Sequence, residues 1–192
     1  MSVCDSEGGG DVARLDVLFE GYGTEAGVAG TVSLLRDGDV TAIVDPGMVP
    51  ARSSILDPLA ALGITPEQVT DVILSHHHPD HTVNIALFPE VTIHDHWATY
   101  RNDQWTPRPA EGVQLSTGIR LLETPGHTPQ DITTLVETDD GEVAALTHLW
   151  VYAGSAGSGL DVDPAAVEEH RARVLEVATL IVPGHGAPFR AR

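Results

Sequence analysis

Cysteine is almost missing from this chain. Cys4 is the only one in 192 residues, so no internal disulfide can form, and a structural zinc site built on several thiolates is excluded. Cys4 stands in a Gly-rich amino-terminal tail, residues 1–13, and is given no role. Positive charge is scarce as well. Ten basic residues face 28 acidic ones, for a net charge of −18. Surfaces that track phosphates are basic, so nucleic acid is not an expected partner. The acidic residues are scattered, which reads as a solvated surface. No apolar run approaches membrane length, so no membrane partner is expected. The first residues show no basic stretch followed by an apolar one, so no secretory signal is expected and the predicted location is cytoplasmic. Internal repeats and low-complexity tracts are absent.

What remains is a composition that folds. Hydrophobic residues make up 42% of the chain, enough for one compact domain over residues 14–192. β-rich runs stand at 15–19, 31–35, 40–44, 71–74, 91–94, 119–123, 132–136, 143–147 and 180–182. Asp37-Gly38 between the second and third of these is a hairpin signal. Helices are expected from Ser53 or Ser54 to about Leu62, with Gly63 past the end, and from Pro164 to Ala178, with Val167, Val174, Leu175 and Ala178 on one face. Thr65-Pro66-Glu67-Gln68 reads as a capping box opening another short helix. Val83–Leu87 is expected as a third short helix, and residues 97–112, with Trp97, Tyr100, Trp105, Pro107 and Pro109, as a loop. This order suggests two sheets with helices outside them.

Against that background, Ser75-His76-His77-His78-Pro79-Asp80-His81 is anomalous. Four imidazoles and a carboxylate in six residues are costly to bury unless each has a partner. One metal ion would satisfy most of them, because imidazole nitrogen and carboxylate oxygen suit zinc, iron and manganese. In extended chain His76 and His78 share a side and His77 faces away. A turn at Pro79 would bring Asp80 and His81 to a second point. One segment can therefore serve two ions. A purification tag would sit at a terminus; this run sits in mid-chain, behind Val72-Ile73-Leu74.

Three more histidines share a local grammar. His127 in Thr124-Pro125-Gly126-His127, His148 in Leu146-Thr147-His148, and His185 in Val182-Pro183-Gly184-His185-Gly186 each follow an apolar or β-rich run. Two stand behind Pro-Gly, a turn that lets backbone approach closely. Histidines delivered from several strand ends to one rim are what a metal centre requires. His94 and His96 remain ambiguous by the same reasoning.

Asp45, the run from His76 to His81, His127 and His185 together resemble the pattern of the metallo-β-lactamase fold superfamily, over residues 15 to 189. Within it the likeness is to bacterial relatives of metallo-β-lactamase-domain-containing protein 1, through Leu87-Phe88-Pro89, Thr124–His127 and Val182–Phe189. The resemblance implies an αβ/βα four-layer sandwich with the metals at one edge. It implies His76, His78 and His127 around a first metal and Asp80, His81 and His185 around a second. It gives Asp45 the task of holding the histidine segment from outside the ligand sphere. One departure stands out. The family carries a metal-bridging aspartate where this chain has His148, and a neutral imidazole has a single lone pair to offer. The expectation is therefore a weaker second site or a mononuclear centre, with His148 joining whichever ion it reaches.

The implied cofactor is zinc, one or two ions, with iron or manganese as alternatives. The implied activity is hydrolysis by a metal-bound hydroxide, with Asp80 as ligand, base or both. A small ester, thioester or lactone is the leading substrate. Alternatives are a phosphodiesterase or nuclease, a mononuclear iron oxygenase of the sulfur dioxygenase type, and a metal-binding protein without catalysis. No arrangement for a covalent nucleophile is suggested. The aromatic segment 97–112 either walls the pocket or serves packing or a homodimer contact.

Overall fold

The computed structural model describes residues 13–138 and 140–191. The tail with Cys4 lies outside the described residues. Ala13, assigned above to that tail, is fully buried and bridges Thr138, so it belongs to the domain.

The amino-terminal half runs through β1 (Arg14–Phe19), β2 (Tyr22–Thr24), β3 (Gly27–Ala29), β4 (Val32–Asp37), β5 (Val40–Val44), α1 (Ser53–Ala61), β6 (Asp71–Ile73), α2 (Pro79–Thr82), β7 (Thr92–His94), β8 (Ala98–Arg101) and β9 (Gln104–Pro107). The remainder is β10 (Ile119–Glu123), β11 (Ile132–Glu137), β12 (Val143–Thr147), α3 (Pro164–Leu175), β13 (Leu180–Pro183) and β14 (Phe189–Arg190). One sheet has the order β1-β4-β5-β6-β7-β8-β9, the other β10-β11-β12-β13-β14, and β2 pairs with β3 as a separate hairpin. No described helix is long and apolar enough to cross a membrane.

Strand alternation builds the layers. Leu35, Ala42, Val44 and Ile73 of the first sheet share a cluster with Ile119, Leu121, Ile132, Val136, Ala144, Leu146 and Val182 of the second. Their neighbours of opposite parity face outward, as a period of two requires. Leu34, Ile43 and Val72 pack with Ile55 and Leu59 of α1. Leu122, Leu135, Ala145 and Ile181 pack with Val167 and Val174 of α3. The result is helix, sheet, sheet, helix: the four-layer sandwich.

β5, β6 and β7 pair in parallel, as do β12 and β13. Parallel neighbours need crossovers, so their carboxyl ends collect on one side. The two halves meet there through backbone bonds from Ile132 N to Ser75 O (2.8 Å) and from Thr31 N to Gly184 O (2.8 Å). This edge carries every histidine singled out for metal.

Several local expectations need correcting. Residues 98–107 form a hairpin, not a loop: Asn102 takes φ 53° at its turn, a conformation asparagine tolerates. Pro107 sits on the outermost strand, where a missing donor costs nothing. The segment 83–87 is not helical throughout. α2 starts earlier, at Pro79, whose fixed φ suits a first helical position, and only Ile85–Leu87 forms a 3₁₀ turn. Neither Ser53 nor Ser54 caps α1. The capping box at Thr65 exists, with Gln68 Oε1 accepting from Thr65 N at 2.8 Å, but it opens one 3₁₀ turn only. β2, β3 and β14 carry no alternation that would have announced them.

Candidate metal centre

The segment after β6 enters the edge in extended form and turns into α2 at Pro79. His78 takes the position before the helix, with extended backbone. The first turn of α2 then presents Asp80 and His81. Two glycines permit this packing. Asp80 O accepts from Gly30 N (3.1 Å) and Met48 N (3.2 Å), and a Cβ on either Gly30 or Gly47 would collide with that carbonyl. Gly184 plays the same part elsewhere, since a Cβ there would run into the imidazole of His148.

Seven predicted ligands come together in three overlapping groups. Each group has ligand atoms within 4.8 Å of one another: His76, His78 and His127; Asp80, His81 and His185; and His76, His81 and His148. His76 Nε2 lies 3.0 Å from His78 Nδ1, and His127 Nε2 lies 3.2 Å from the same atom. Asp80 Oδ2 is 3.5 Å from both His81 Nε2 and His185 Nε2. His148 sits between the outer groups. Its Nε2 is 3.2 Å from His185 Nε2, and its ring stacks on His127 with centroids 4.1 Å apart.

The outward nitrogens are held. His81 Nδ1 meets Asp45 Oδ2 at 2.9 Å, and Ser75 N donates to Asp45 Oδ1 at 2.7 Å. Asp45 does this from φ 53°, an uncommon conformation for a residue with a side chain, of the sort that clusters at functional sites. His76 Nδ1 lies 3.0 Å from Ser75 Oγ, and His185 Nδ1 lies 2.8 Å from Ala29 O. His127 Nδ1 is 3.1 Å from both Ser158 Oγ and Asp161 Oδ1. A proton fixed on Nδ1 leaves the Nε2 lone pair pointing inward, which is how ligand imidazoles are oriented for a metal.

These residues fit a cation. Tetrahedral zinc with nitrogen ligands at about 2.0–2.1 Å has ligand–ligand edges of about 3.3 Å, close to the 3.0 and 3.2 Å found around His78. His78 Nδ1 faces two other nitrogens and can hydrogen-bond with one of them; a shared ion serves all three. His81 Nε2 and His148 Nδ1 are buried without a hydrogen-bond partner among the described residues, at a cost protein interiors rarely accept.

The electrostatics agree. Burial, reinforced by His81, His148, His127 and His78, drives His76 far below the usual histidine range. Burial, with His81, His127 and His185, does the same to His148. His127 and His185 are lowered mainly by burial, against the pull of Asp161 and of Ala29 O respectively. His81 moves the other way: burial opposes its charge, but the Asp45 carboxylate outweighs it, with help from Asp80. Four imidazoles held towards the neutral form, those of His76, His127, His148 and His185, beside the carboxylates of Asp45 and Asp80 make a receptor for a cation.

The other histidines are accounted for differently. His77 points away from the cluster and meets Asp95 Oδ2 at 3.0 Å, with Trp97 edge-on at 5.2 Å. His94 Nε2 meets Asp71 Oδ1 at 2.7 Å. His96 belongs to none of the three groups. Sequence reasoning missed Ser75, Ser158, Asp161 and the carbonyl of Ala29. A carboxylate in the Gly/Ser-rich stretch 154–161 was the one available hint.

Comparison with known proteins follows the same lines. The family model described as metallo-beta-lactamase superfamily matches residues 26–164. Metallo-beta-lactamase domain-containing protein 1 of Xenopus laevis is 36% identical over 94% of this chain and 83% of its own length. A hydroxyacylglutathione hydrolase of Rhodopseudomonas palustris is 31% identical over 66% of this chain, and the match spans 51% of that enzyme. A Thermotoga maritima crystal structure, described as a metallo-beta-lactamase, superposes with a TM-score of 0.77 at 22% identity, covering 93% of this chain and 99% of that one.

Proposed function

This chain belongs to the metallo-β-lactamase superfamily, and from that premise we propose that it is a metal-dependent hydrolase of small esters, thioesters or lactones. The observation that carries the reading is the convergence of two ligand triads, His76–His78–His127 and Asp80–His81–His185, with the outward nitrogens of His76, His81, His127 and His185 already engaged. A divalent ion held by these residues would supply a water acidified to a pKa of about 7 and a Lewis acid for a carbonyl. Zinc is the proposed metal and the cytoplasm the proposed setting.

The chain's own residues supply the rest. In this reading Asp80, adjoining His81 and His185, accepts the proton of the attacking water and returns it to the leaving oxygen or sulfur. Asp45 and the Ser158–Asp161 pair keep the imidazoles from rotating, so that geometry is set before substrate arrives. The sequence contains no lysine, which excludes a Schiff-base route.

Zinc-loaded protein is expected to turn over at least one of an ester, thioester and lactone panel, and to lose the activity on chelation. Absence of turnover across the panel, with metal content verified, would refute the reading. One observation favours a second reading. Asp80, His81 and His185 make a two-histidine, one-carboxylate group of the kind non-haem iron oxygenases use. Iron in the purified protein together with oxygen consumption on a thiol substrate would select it.

A further inference from the structure

Six segments carry the ligands or hydrogen-bond to them: residues 20–31, 45–50, 75–84, 124–131, 148–163 and 183–188. Together they contain no arginine and no lysine. The two arginines nearest in sequence are Arg52, at the head of α1, and Arg190, which reaches from the outermost strand across β13 to pair with Glu142. Segment 20–31 contributes Glu20 and Glu25 instead. The metal site thus has no side-chain cation on its own loops to receive a carboxylate, phosphate or phosphodiester.

The same loops hold exposed apolar side chains. Tyr22, Val28, Met48, Val83, Tyr152, Leu160 and Val162 are 39% to 77% exposed. Five of them are tied by backbone to the centre. Val28 precedes Ala29, whose carbonyl holds His185. Met48 N donates to Asp80 O. Tyr152 follows Val151, whose carbonyl accepts from His185 N at 2.8 Å. Leu160 N donates to Ser158 Oγ (2.9 Å), the group on His127, and Val162 N donates to His127 O (3.3 Å). Val162 also lines a mainly apolar cleft of about 270 Å³ beside the His127 turn. Single exposed apolar residues need no explanation; seven gathered on the loops of one site do.

We infer that the substrate is electrically neutral and carries an aliphatic acyl portion: an uncharged ester or lactone, not a phosphodiester or an anionic thioester. This rests on the hydrolase reading above. An acyl chain laid on these side chains gains the transfer of its methylenes out of water, and an anionic group away from the metal would find no arginine or lysine on these loops and a net charge of −18 around them.

The test is a chain-length series of p-nitrophenyl esters, acetate to octanoate, with zinc-loaded full-length protein. kcat/KM is expected to rise by about two- to fourfold per methylene, and an ester whose acyl chain ends in a carboxylate to fall at least tenfold below its neutral match. Leu160→Ser and Met48→Ser are each expected to reduce the octanoate-to-acetate ratio severalfold. Leu62→Ser, at the far end of α1, serves as the exposed apolar control and should leave that ratio unchanged. Metal-free protein should bind 2-decanone more tightly than 2-butanone by tryptophan fluorescence and show no binding of sebacate. A flat or falling series, a preference for the anionic ester, or a ratio indifferent to both loop substitutions overturns the inference while leaving the hydrolase reading standing. Turnover of thioesters alone overturns the inference and leaves the hydrolase reading standing; no turnover of any ester, thioester or lactone by metal-loaded protein removes both.

Discussion

Replacing His148 by aspartate should change how many metal ions the protein retains. His148 occupies the junction of the two triads, with Nε2 3.2 Å from His185 Nε2 and membership of a group with His76 and His81. An imidazole there adds no charge. An added negative charge facing a divalent ion across about 4 Å, at an effective dielectric near 20, is worth about 8 kcal/mol. Desolvating the new carboxylate returns several kcal/mol of that. A net gain of about 3 kcal/mol corresponds to roughly a hundredfold in affinity. Competition against a chromophoric chelator, starting from metal-free protein, is the assay. Wild type should show one tight zinc and a second weaker by roughly a hundredfold or more, and His148→Asp should bring the second close to the first. Gly184 leaves room beside position 148, so the smaller side chain should be accommodated. Two equally tight ions in wild type, or an aspartate variant with an unaltered second step, would show that the central imidazole does not govern loading.

Three further outcomes follow from the geometry. Asp45→Ala removes the partner of both His81 Nδ1 and Ser75 N and should weaken metal binding by about 10- to 100-fold in the same titration; Asn at this position, which tolerates the left-handed conformation, should recover part of the loss. Gly47→Ala drives a methyl group into the Asp80 carbonyl and should lower stability by about 2–4 kcal/mol in urea unfolding. Asp95 is buried, which by itself would raise its pKa, but hydrogen bonds from His77, Tyr100 and the amides of Ala98 and Trp97 more than offset this and hold it at about 2. A carboxyl depressed on folding stabilises above its unfolded pKa near 3.9 and loses that contribution as pH falls toward 2. Asp95→Asn should therefore cost about 1–2 kcal/mol at pH 7, with the gap between variant and wild type narrowing below pH 4; a gap that stays constant with pH would show that the charge at Asp95 is not what stabilises.

The layers of the fold were legible because alternation is a local property. Val32 to Asp37, Val40 to Val44 and Ile119 to Glu123 write their two faces in consecutive residues. The hairpin of Tyr22–Thr24 and Gly27–Ala29 was not legible, because glycine and alanine carry little strand preference. The hairpin ending at Pro107 was hidden by that proline and by Pro109 just beyond it. α2 is four residues long, too short for any helical period to emerge. At the metal centre, residue type and the Pro-Gly turns singled out the histidines that the fold collects at one edge. What holds those histidines could not be read in advance. Asp161 lies 34 residues from His127 and Ala29 lies 156 from His185, and a backbone carbonyl has no signature in a sequence at all.

Each triad draws on both sheets. His76, His78, Asp80 and His81 descend from the strand ending at Ile73, and His127 and His185 from the facing layer. A bound ion would therefore act as a rivet through the sandwich, in a chain whose single cysteine leaves no covalent fastening between its halves. Metal supply would then set durability as well as reactivity: stripping the ion should loosen the seam between the layers before it disturbs either helix.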